Sequence, residues 1–165
     1  MMNRKFKAGE TRGTYVLAEP VTAEEILTMA NKLARSKLSK GKALTSPSLT
    51  YSCLQTLLQE YEHEVFGILF LDSQHRVIKF EELFRGTLDG ATVYPREVVK
   101  AALACNAAAV ILVHNHPSGL PEPSRADRSL TERLQVALGV VEIRLLDHLV
   151  IGTEGRVSMA ERGWI

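Results

Sequence analysis

The chain has 165 residues and a net charge of +1, and 45% of its residues are hydrophobic and 24% charged. This length suits one domain, since domains commonly hold about 100 to 150 residues. No apolar run approaches the roughly 18 residues of a membrane span, and the polar segment Met1–Gly13 lacks the apolar centre of a secretory signal. The composition is typical of a globular protein without membrane segments, and we expect a cytoplasmic location.

Positive charge is concentrated near the start of the sequence. Residues 1–42 carry nine Lys or Arg against four Glu. Five of these basic residues cluster near the end of a predicted helix: Lys32, Arg35, Lys37, Lys40 and Lys42. Such a cluster can contact the phosphates of a nucleic acid without sequence preference. We favour the simpler interpretation, in which solvated cations complement the dipole of the helix end.

Residues 1–44 are predicted to form an arm followed by one helix. The first 20 residues show no sustained periodicity, so we expect an arm that is mobile unless something docks it. Thr22 and Glu25 have the spacing of a capping box, which predicts a helix from Ala23 to about Leu38. The apolar stripe of this helix comprises Ile26, Leu27, Ala30, Leu33 and Ala34.

A second helix and a β-hairpin follow. The helix is predicted over residues 47–61, with proline in its first turn, where no amide donor is lost. Val65–Leu71 is a short apolar run, which is typical of a buried strand. A turn at residues 72–75 then leads into a second strand over residues 76–84.

The second half of the sequence alternates helices and strands. Asp89-Gly90 indicates a turn, and Val93-Tyr94 predicts either a short strand or a lead into the next helix. The elements predicted after this point are a helix over 95–106, a strand over 108–113, a helix over 124–138 with Gly139 as its stop, one long or two short strands over 141–151, and a strand over 156–159. Together they predict a mixed sheet covered by helices, in the α/β or α+β class.

Three potential metal ligands lie where a predicted strand gives way to a predicted helix. Residues two apart on a strand point the same way, so His114 and His116 can face one ion together. Asp127 lies in the first turn of the following helix, close enough to fold back as a third ligand. Two neutral imidazoles and a carboxylate suit Zn²⁺, and three protein ligands leave a fourth tetrahedral position for water. The pattern predicts a zinc site of the catalytic type.

A catalytic zinc site also needs a nearby general base. Zinc lowers the pKa of a bound water from roughly 16 towards about 7 and polarises a bound carbonyl. Glu64 is the best candidate for the base, because it immediately precedes the buried strand Val65–Leu71 and would be held at the end of the sheet. Four rival glutamates remain on spacing alone: Glu60, Glu62, Glu81 and Glu82.

The arrangement of these residues resembles a known metalloprotease motif. A His-x-His-Pro sequence, six further residues and Ser-x-x-Asp, with a Glu ahead of an upstream apolar strand, is similar to the JAMM motif of MPN-plus (JAB1) domains. Five separate segments narrow the resemblance to the RadC family: Glu64-Val65-Phe66, Leu83-Phe84-Arg85-Gly86-Thr87, Pro95-Arg96-Glu97, His114-Asn115-His116-Pro117-Ser118-Gly119 and Asp147-His148-Leu149. The resemblance covers residues 45–165, which we therefore treat as one domain.

The resemblance implies both a fold and an activity. The implied fold is a cytidine-deaminase-like three-layer α/β/α sandwich. The implied site holds zinc on His114, His116 and Asp127, with Glu64 as general base and Ser124 as hydrogen-bond donor to the tetrahedral intermediate. JAMM relatives cleave peptide or isopeptide bonds, often beside ubiquitin-like modifiers. A protein or peptide substrate, including a modifier conjugate, is therefore expected.

The sequence leaves two further functions open beside that of a peptidase. The RadC family was named for DNA repair, and its longer members begin with a helix-hairpin-helix module that binds DNA. No Gly-x-Gly hairpin of that kind precedes residue 45. The two functions are those of a nucleic-acid-associated protein and of an inactive scaffold that only engages partners.

Two of the polar residues have competing interpretations. Ser124 and Asp127 have the spacing of a helix cap, so the Ser124 hydroxyl either caps the helix or also donates to a reacting oxygen. His148 is either a support for the metal ligands or an ordinary strand histidine, and we favour the ordinary strand histidine.

Overall fold

A computed structural model describes residues 4–86 and 92–165. In chain order the elements are β1 (Phe6–Ala8), β2 (Tyr15–Leu17), α1 (Ala23–Lys37), α2 (Pro47–Leu58), β3 (Val65–Leu71), β4 (Val77–Arg85), α3 (Pro95–Ala104), β5 (Ala109–Asn115), α4 (Arg125–Val140), β6 (Arg144–Gly152) and β7 (Gly155–Ser158). The turn predicted at Asp89-Gly90 lies outside the described residues.

The central sheet is mixed and has the strand order β4-β3-β5-β6-β7. Strand β3 runs antiparallel to both β4 and β5, as the predicted hairpin requires for β4. Strands β5 and β6 are parallel, and α4 makes the crossover that parallel neighbours need. Helix α4 therefore begins near the end of β5, which brings residues 114–116 close to its first turn.

Helices cover both faces of the sheet. Along β5, Ala109, Ile111 and Val113 face the core shared with α1 and α2. Val110 and Leu112 face a second core shared with α3 and α4. Because both faces are covered, every residue of β3 and β5 is buried, which explains their continuous apolar sequences. The three-layer α/β/α sandwich implied by the family resemblance is confirmed.

The predicted helices are present, but their buried faces match the prediction unevenly. In α2 the interior positions include Leu54 and Leu58, as expected from helical spacing. In α1, Ile26 and Leu27 are exposed, and the buried residues are Met29 and Ala34. The predicted stripe is wrong in the first half of α1, because the core receives this helix only near its C-terminal end, at Ala34 and the following Leu38.

The N-terminal segment is more ordered than predicted. β1 and β2 form a two-stranded antiparallel hairpin with Phe6 opposite Leu17. The Lys5 ammonium lies 2.9 Å from the Glu25 carboxylate, which connects this hairpin to α1. Strands of three residues are too short to show a periodicity, so the sequence predicted an arm. The boundary between residues 1–44 and a domain from residue 45 stays a prediction.

Several element ends differ from the predicted ones. Strand β5 continues through His114 and Asn115, and α4 passes Gly139 to end at Val140. β6 is a single strand, and Tyr94 is the N-cap residue of α3. Within the described residues, no helix has the length and apolar character needed to cross a membrane.

Candidate metal centre

His114, His116 and Asp127 meet where β5 ends and α4 begins. The Nε2 atoms of the two histidines are 3.0 Å apart. Asp127 Oδ1 lies 3.3 Å from His114 Nε2, and Asp127 Oδ2 lies 3.4 Å from His116 Nε2. The predicted grouping of two imidazoles and a carboxylate is therefore present as a compact cluster that could hold a metal ion.

The two strands at the centre of the sheet fix the orientation of His114. His114 pairs with Phe66 across β3 and β5, and both side chains project from the same face of the sheet. The rings of these two residues stack with centroids 6.2 Å apart and planes inclined by 14°. His114 is only 1% exposed, so its ring is enclosed by its neighbours.

His116 is held by the turn that follows β5. Its amide donates to the carbonyl of Ile151 at 2.7 Å, and its own carbonyl accepts from Gly119 at 3.0 Å. Its Nδ1 donates to the carbonyl of Leu120 at 2.9 Å, which leaves the lone pair of a neutral ring on Nε2. The turn thus aims His116 Nε2 at the cluster.

Two glycines allow this turn to rest on the end of β6. Gly119 has a φ of 92°, a conformation that favours glycine. A Cβ atom on Gly152 would lie 1.9 Å from the carbonyl oxygen of Gly119. The two backbones touch so closely that only glycine fits at position 152.

The electrostatics of the cluster favour an ionised carboxylate. Burial opposes ionisation of Asp127, but hydrogen bonds with His114 and His116 outweigh it and hold its pKa far below its usual range. The hydrogen bond with Asp127 raises the pKa of His116 against the effect of burial, and the charge of Glu64 makes a smaller contribution in the same direction. The centre therefore has a fixed negative charge that draws a proton or a metal ion to the histidine nitrogens.

The spacing of the nitrogen and oxygen atoms in this cluster is compatible with a divalent metal ion. A tetrahedral zinc ion with bonds of about 2.0–2.1 Å keeps its ligand atoms about 3.3–3.4 Å apart. The observed separations of 3.0, 3.3 and 3.4 Å lie close to this value, the last two ending at Oδ1 and Oδ2 of Asp127 respectively. Two imidazoles and a carboxylate also suit the chemistry of a borderline divalent ion. The donor set and its geometry agree with each other.

Glu64 lies on the side of the sheet that carries the centre. It directly precedes β3, and continuing the register in which Phe66 pairs with His114 places Glu64 opposite His116. Its side chain is half-buried. Glu64 can therefore face a ligand of the centre from the neighbouring strand.

The four rival glutamates have different surroundings. Glu82 accepts from the Tyr61 hydroxyl at 2.8 Å and pairs with Arg85. Glu81 pairs with Lys79 on β4. Glu60 and Glu62 are exposed in the segment after α2. Glu64 is thus the glutamate whose strand position matches that of the histidine ligands.

Ser124 caps α4 and contacts the candidate ligand Asp127 at the same time. Its Oγ accepts from the Asp127 amide at 3.1 Å and donates to Asp127 Oδ2 at 2.7 Å. The Ser124 amide donates to the same oxygen at 2.7 Å, which completes a capping box. The capping role is confirmed, and the catalytic role of Ser124 stays a prediction.

Comparison with known proteins identifies the family. A family model described as the RadC-like JAB domain matches residues 44–164. The chain belongs to the RadC family. A UPF0758 protein from Cellvibrio japonicus (strain Ueda107) is 57% identical over 145 residues, which cover 88% of this chain and 65% of the relative.

Two further RadC-type relatives show how this chain compares in length. A UPF0758 protein from Vibrio cholerae serotype O1 (strain M66-2) is 57% identical over 148 residues, which are 90% of this chain and 66% of that protein. Another, from Vibrio cholerae serotype O1 (strain ATCC 39315 / El Tor Inaba N16961), is 51% identical over 154 residues, covering 93% of this chain and 97% of the relative. The chain thus spans about two thirds of the first two relatives and nearly all of the third.

A third histidine, His148, lies beside the cluster and is buried. From the sequence it was interpreted as an ordinary strand residue. His148 is 0% exposed, and its Nε2 lies 2.8 Å from His114 Nδ1. Its Nδ1 lies 2.6 Å from Thr131 Oγ1. Burial lowers the pKa of His148 well below its usual value, so the ring is neutral. The favoured interpretation of His148 did not include this contact with His114, a candidate metal ligand.

Thr131 was not identified from the sequence. It lies four residues after Asp127 on α4, a spacing that places both residues on one helix face. Its hydroxyl donates to the Asp127 carbonyl at 2.6 Å. The helical spacing places Thr131 on the same face as Asp127, but it does not predict the contact with His148, which forms only when α4 packs against β6.

Asn115, between the two histidine ligands, acts on the opposite face of the sheet. Its Oδ1 accepts from the Val65 amide at 2.7 Å. Its Nδ2 donates to the carbonyls of Tyr61 and His63 at 3.3 and 3.1 Å. This buried amide therefore holds the segment that carries Glu64.

Proposed function

We propose that the chain is a zinc-dependent hydrolase of amide bonds, in peptide or isopeptide linkages. The observation that carries the proposal is the convergence of His114 Nε2, His116 Nε2 and Asp127 on one small volume. Two nitrogen lone pairs 3.0 Å apart beside a carboxylate need a cation or a proton between them. The RadC-like JAB match, over most of the chain, supports the same class of site.

Glu64 is proposed as the general base. A zinc ion held by the three ligands would lower the pKa of a water molecule and polarise the carbonyl of the substrate. Glu64, opposite His116, would accept a proton from the attacking water and pass it to the departing amine. An amine is a poor leaving group until it is protonated, so one carboxylate serves both steps.

Ser124 is proposed to stabilise the developing oxyanion. Its hydroxyl hydrogen would turn from Asp127 Oδ2 towards the substrate oxygen, while Oγ continues to accept from the Asp127 amide. Asp127 Oδ2 would keep its hydrogen bond from the Ser124 amide. The carboxylate thus stays oriented while the hydroxyl is used elsewhere.

The proposed substrate is a protein or peptide, including one joined to a modifier by an isopeptide bond. The test uses a library of quenched fluorescent peptides and purified protein with its zinc content measured by elemental analysis. We expect about one zinc per chain, as three ligands and an open position predict, and zinc-dependent cleavage. Glu64→Gln should retain the zinc and lose cleavage, because the amide cannot take the proton.

A matched control is Glu62→Gln, which changes an exposed glutamate two residues earlier. This variant should cleave like the wild type. Unchanged turnover in the Glu64→Gln protein would remove the proposed mechanism, and protein without zinc after metal-supplemented purification would favour an inactive scaffold.

Nucleic-acid association is a second candidate, supported by a group of exposed basic residues. Lys37, Lys40 and Lys42 are exposed at and after the end of α1. Phosphate contacts predict affinity for DNA that falls steeply with salt and falls further when these lysines are replaced by alanine. A titration without binding at low salt would reject this function.

A further inference from the structure

We propose that Thr131 and His148 hold a proton on Nδ1 of His114, so that Nε2 is the nitrogen of His114 that is left for a metal ion. The proposal rests on the proposed function in one respect, the assignment of His114 as a ligand. It makes His148 and Thr131 positioning residues, which act on the metal centre through a chain of hydrogen bonds from the backbone of α4.

The first step is the contact between Thr131 and Asp127. Thr131 Oγ1 lies 2.6 Å from the carbonyl oxygen of Asp127. A carbonyl oxygen only accepts, so the hydroxyl hydrogen must lie between these two atoms. Met159 Sδ, 3.3 Å from the same hydroxyl, is a much weaker acceptor.

The next contact in the chain of hydrogen bonds is between Thr131 and His148. With its hydrogen committed to Asp127, Thr131 Oγ1 offers only lone pairs to His148 Nδ1, 2.6 Å away. His148 Nδ1 must therefore carry a proton. The ring is fully buried and lies against a second imidazole, which disfavours a charged form. A neutral ring protonated on Nδ1 has a bare Nε2.

The proton position on His148 then determines which of the two residues donates in the His148–His114 hydrogen bond. A bare His148 Nε2 can only accept, so His114 Nδ1, at 2.8 Å, must be the donor. The lone pair of a neutral His114 is then on Nε2, the atom that faces His116 Nε2 and Asp127 Oδ1. Metal-ligating histidines commonly donate their second nitrogen to an oxygen acceptor, and here a histidine takes that place.

The reversed chain of hydrogen bonds is unfavourable. If Thr131 donated to His148, two oxygens would lie 2.6 Å apart at Asp127 with no hydrogen between them. His114 would then carry its proton on Nε2, where a metal ion must displace it. One turn of α4 thus provides the Asp127 ligand and also prepares the His114 ligand.

Zinc affinity, measured by competition with a chelating indicator, tests this inference. His148→Leu removes both polar atoms and should weaken zinc binding about ten- to hundredfold. His148→Gln offers an acceptor and a donor again and should recover most of the affinity. Thr131→Val should also weaken binding, because His148 loses the partner that fixes its proton.

Thr56→Val is the matched control for Thr131→Val. Thr56 makes the same type of hydrogen bond, to the carbonyl of Ser52 in α2, away from the centre. The Thr56→Val protein should bind zinc as tightly as the wild type. Since leucine at position 148 can impair folding, the comparison of these two threonine variants supplies the same test in a protein that keeps His148.

A second measurement reads the tautomer itself in zinc-free protein. Long-range proton–nitrogen correlation spectra of protein labelled with ¹⁵N-histidine, at mildly alkaline pH, distinguish the two tautomers. We expect His148 protonated on Nδ1, and a mixed population in Thr131→Val but not in Thr56→Val. His148 protonated on Nε2 would overturn the inference, because that nitrogen would then donate to His114 Nδ1 and reverse the chain of hydrogen bonds.

The failures of the two proposals are distinguishable. If the wild type binds zinc and the His148→Leu and Thr131→Val proteins bind it equally tightly, the inference fails and the hydrolase proposal stands. If the wild type binds no zinc, the hydrolase proposal fails, and the spectra of the zinc-free protein still decide the proton arrangement.

Discussion

Each histidine of the centre has one nitrogen bound by the protein and the other turned to the cluster. His116 Nδ1 donates to Leu120, and His114 Nδ1 contacts His148. Asp127 is oriented by the amide and hydroxyl of Ser124. These candidate ligands are therefore aligned by their surroundings, which would reduce the reorganisation that binding a metal ion requires.

Ser124 gives a prediction with two separable parts. Ser124→Ala removes the cap of α4 and should cost about 1 kcal/mol of unfolding free energy. It should also lower cleavage about 10²- to 10³-fold, the usual effect of removing an oxyanion donor. Denaturant unfolding and single-turnover kinetics measure the two effects.

Ser46→Ala is the control for the cap alone. Ser46 caps α2 by accepting from the Leu49 amide at 3.3 Å, away from the centre. The Ser46→Ala protein should lose a similar amount of unfolding free energy and keep full cleavage activity. Equal activity of the Ser124→Ala protein and the wild type would leave Ser124 as a cap only.

Replacing Asn115 should affect the proposed general base, Glu64, because Asn115 holds the segment that carries it. Asn115→Asp keeps an acceptor for Val65 but sets a carboxylate against the carbonyls of Tyr61 and His63. We expect a loss of about 1–3 kcal/mol in unfolding free energy. Cleavage should fall more than zinc affinity, because the segment that holds Glu64 loosens. A larger loss of zinc affinity than of cleavage would contradict this role.

At the residue scale, spacing predicted the candidate ligands that cluster in the structure, but not the residues that hydrogen-bond to them. His114 and His116 could be paired from the sequence alone, because the alternation of side chains along a strand is a local pattern. Thr131 and His148 meet only when α4 packs on β6, which no local pattern encodes. Glu64 was preferred among five glutamates because it directly precedes a buried strand, and the register between β3 and β5 adds that it lies opposite His116. Its role as general base stays a prediction.

At the element scale, the centre depends on a turn pressed against the end of β6. Gly119 accepts from the Glu154 amide at 3.1 Å, and His116 donates to Ile151 at 2.7 Å. β3 was predicted with its observed bounds because both of its faces are buried, which leaves an uninterrupted apolar run. The predicted end of β5 fell short, because polar His114 and Asn115 do not look like core residues.

Gly152→Ala tests this packing. The added Cβ would collide with the Gly119 carbonyl, so the turn must move and carry His116 with it. We expect zinc affinity to fall by about tenfold or more, in the range seen when the supports of metal ligands are lost. Chelator competition measures this loss.

Gly139→Ala is the matched glycine control. A Cβ at Gly139, inside α4, meets nothing within 4 Å. This change should leave zinc affinity unaltered and stabilise the protein by about 0.5–1 kcal/mol. A zinc affinity of Gly152→Ala equal to that of Gly139→Ala would show that the turn tolerates displacement.

At the scale of the whole molecule, the centre lies where three separately predicted elements meet. β3, β5 and α4 are each recognisable from apolar runs or helical spacing, and the family resemblance gave the layers. The hairpin of β1 and β2 was missed, because strands of three residues are too short to show alternation and all three side chains of β2 are exposed. Tertiary packing decides what local sequence leaves undetermined.

Metal binding at this position should stabilise the entire fold. An ion held by His114 and His116 near β5 and by Asp127 on α4 would join two elements that the chain connects through a long turn. Ligand bound only to the folded state stabilises it by about 2.7 kcal/mol at a concentration of 100 times Kd. For a domain of this size, this corresponds to an increase in Tm of about 5–10 °C.

Thermal unfolding of zinc-free protein during a zinc titration tests the metal centre most directly. The wild type should show this increase in Tm, and His116→Ala, which lacks one ligand, should show little or none. An equal shift in the two proteins, or no shift in the wild type at saturating zinc, would contradict a zinc centre at His114, His116 and Asp127.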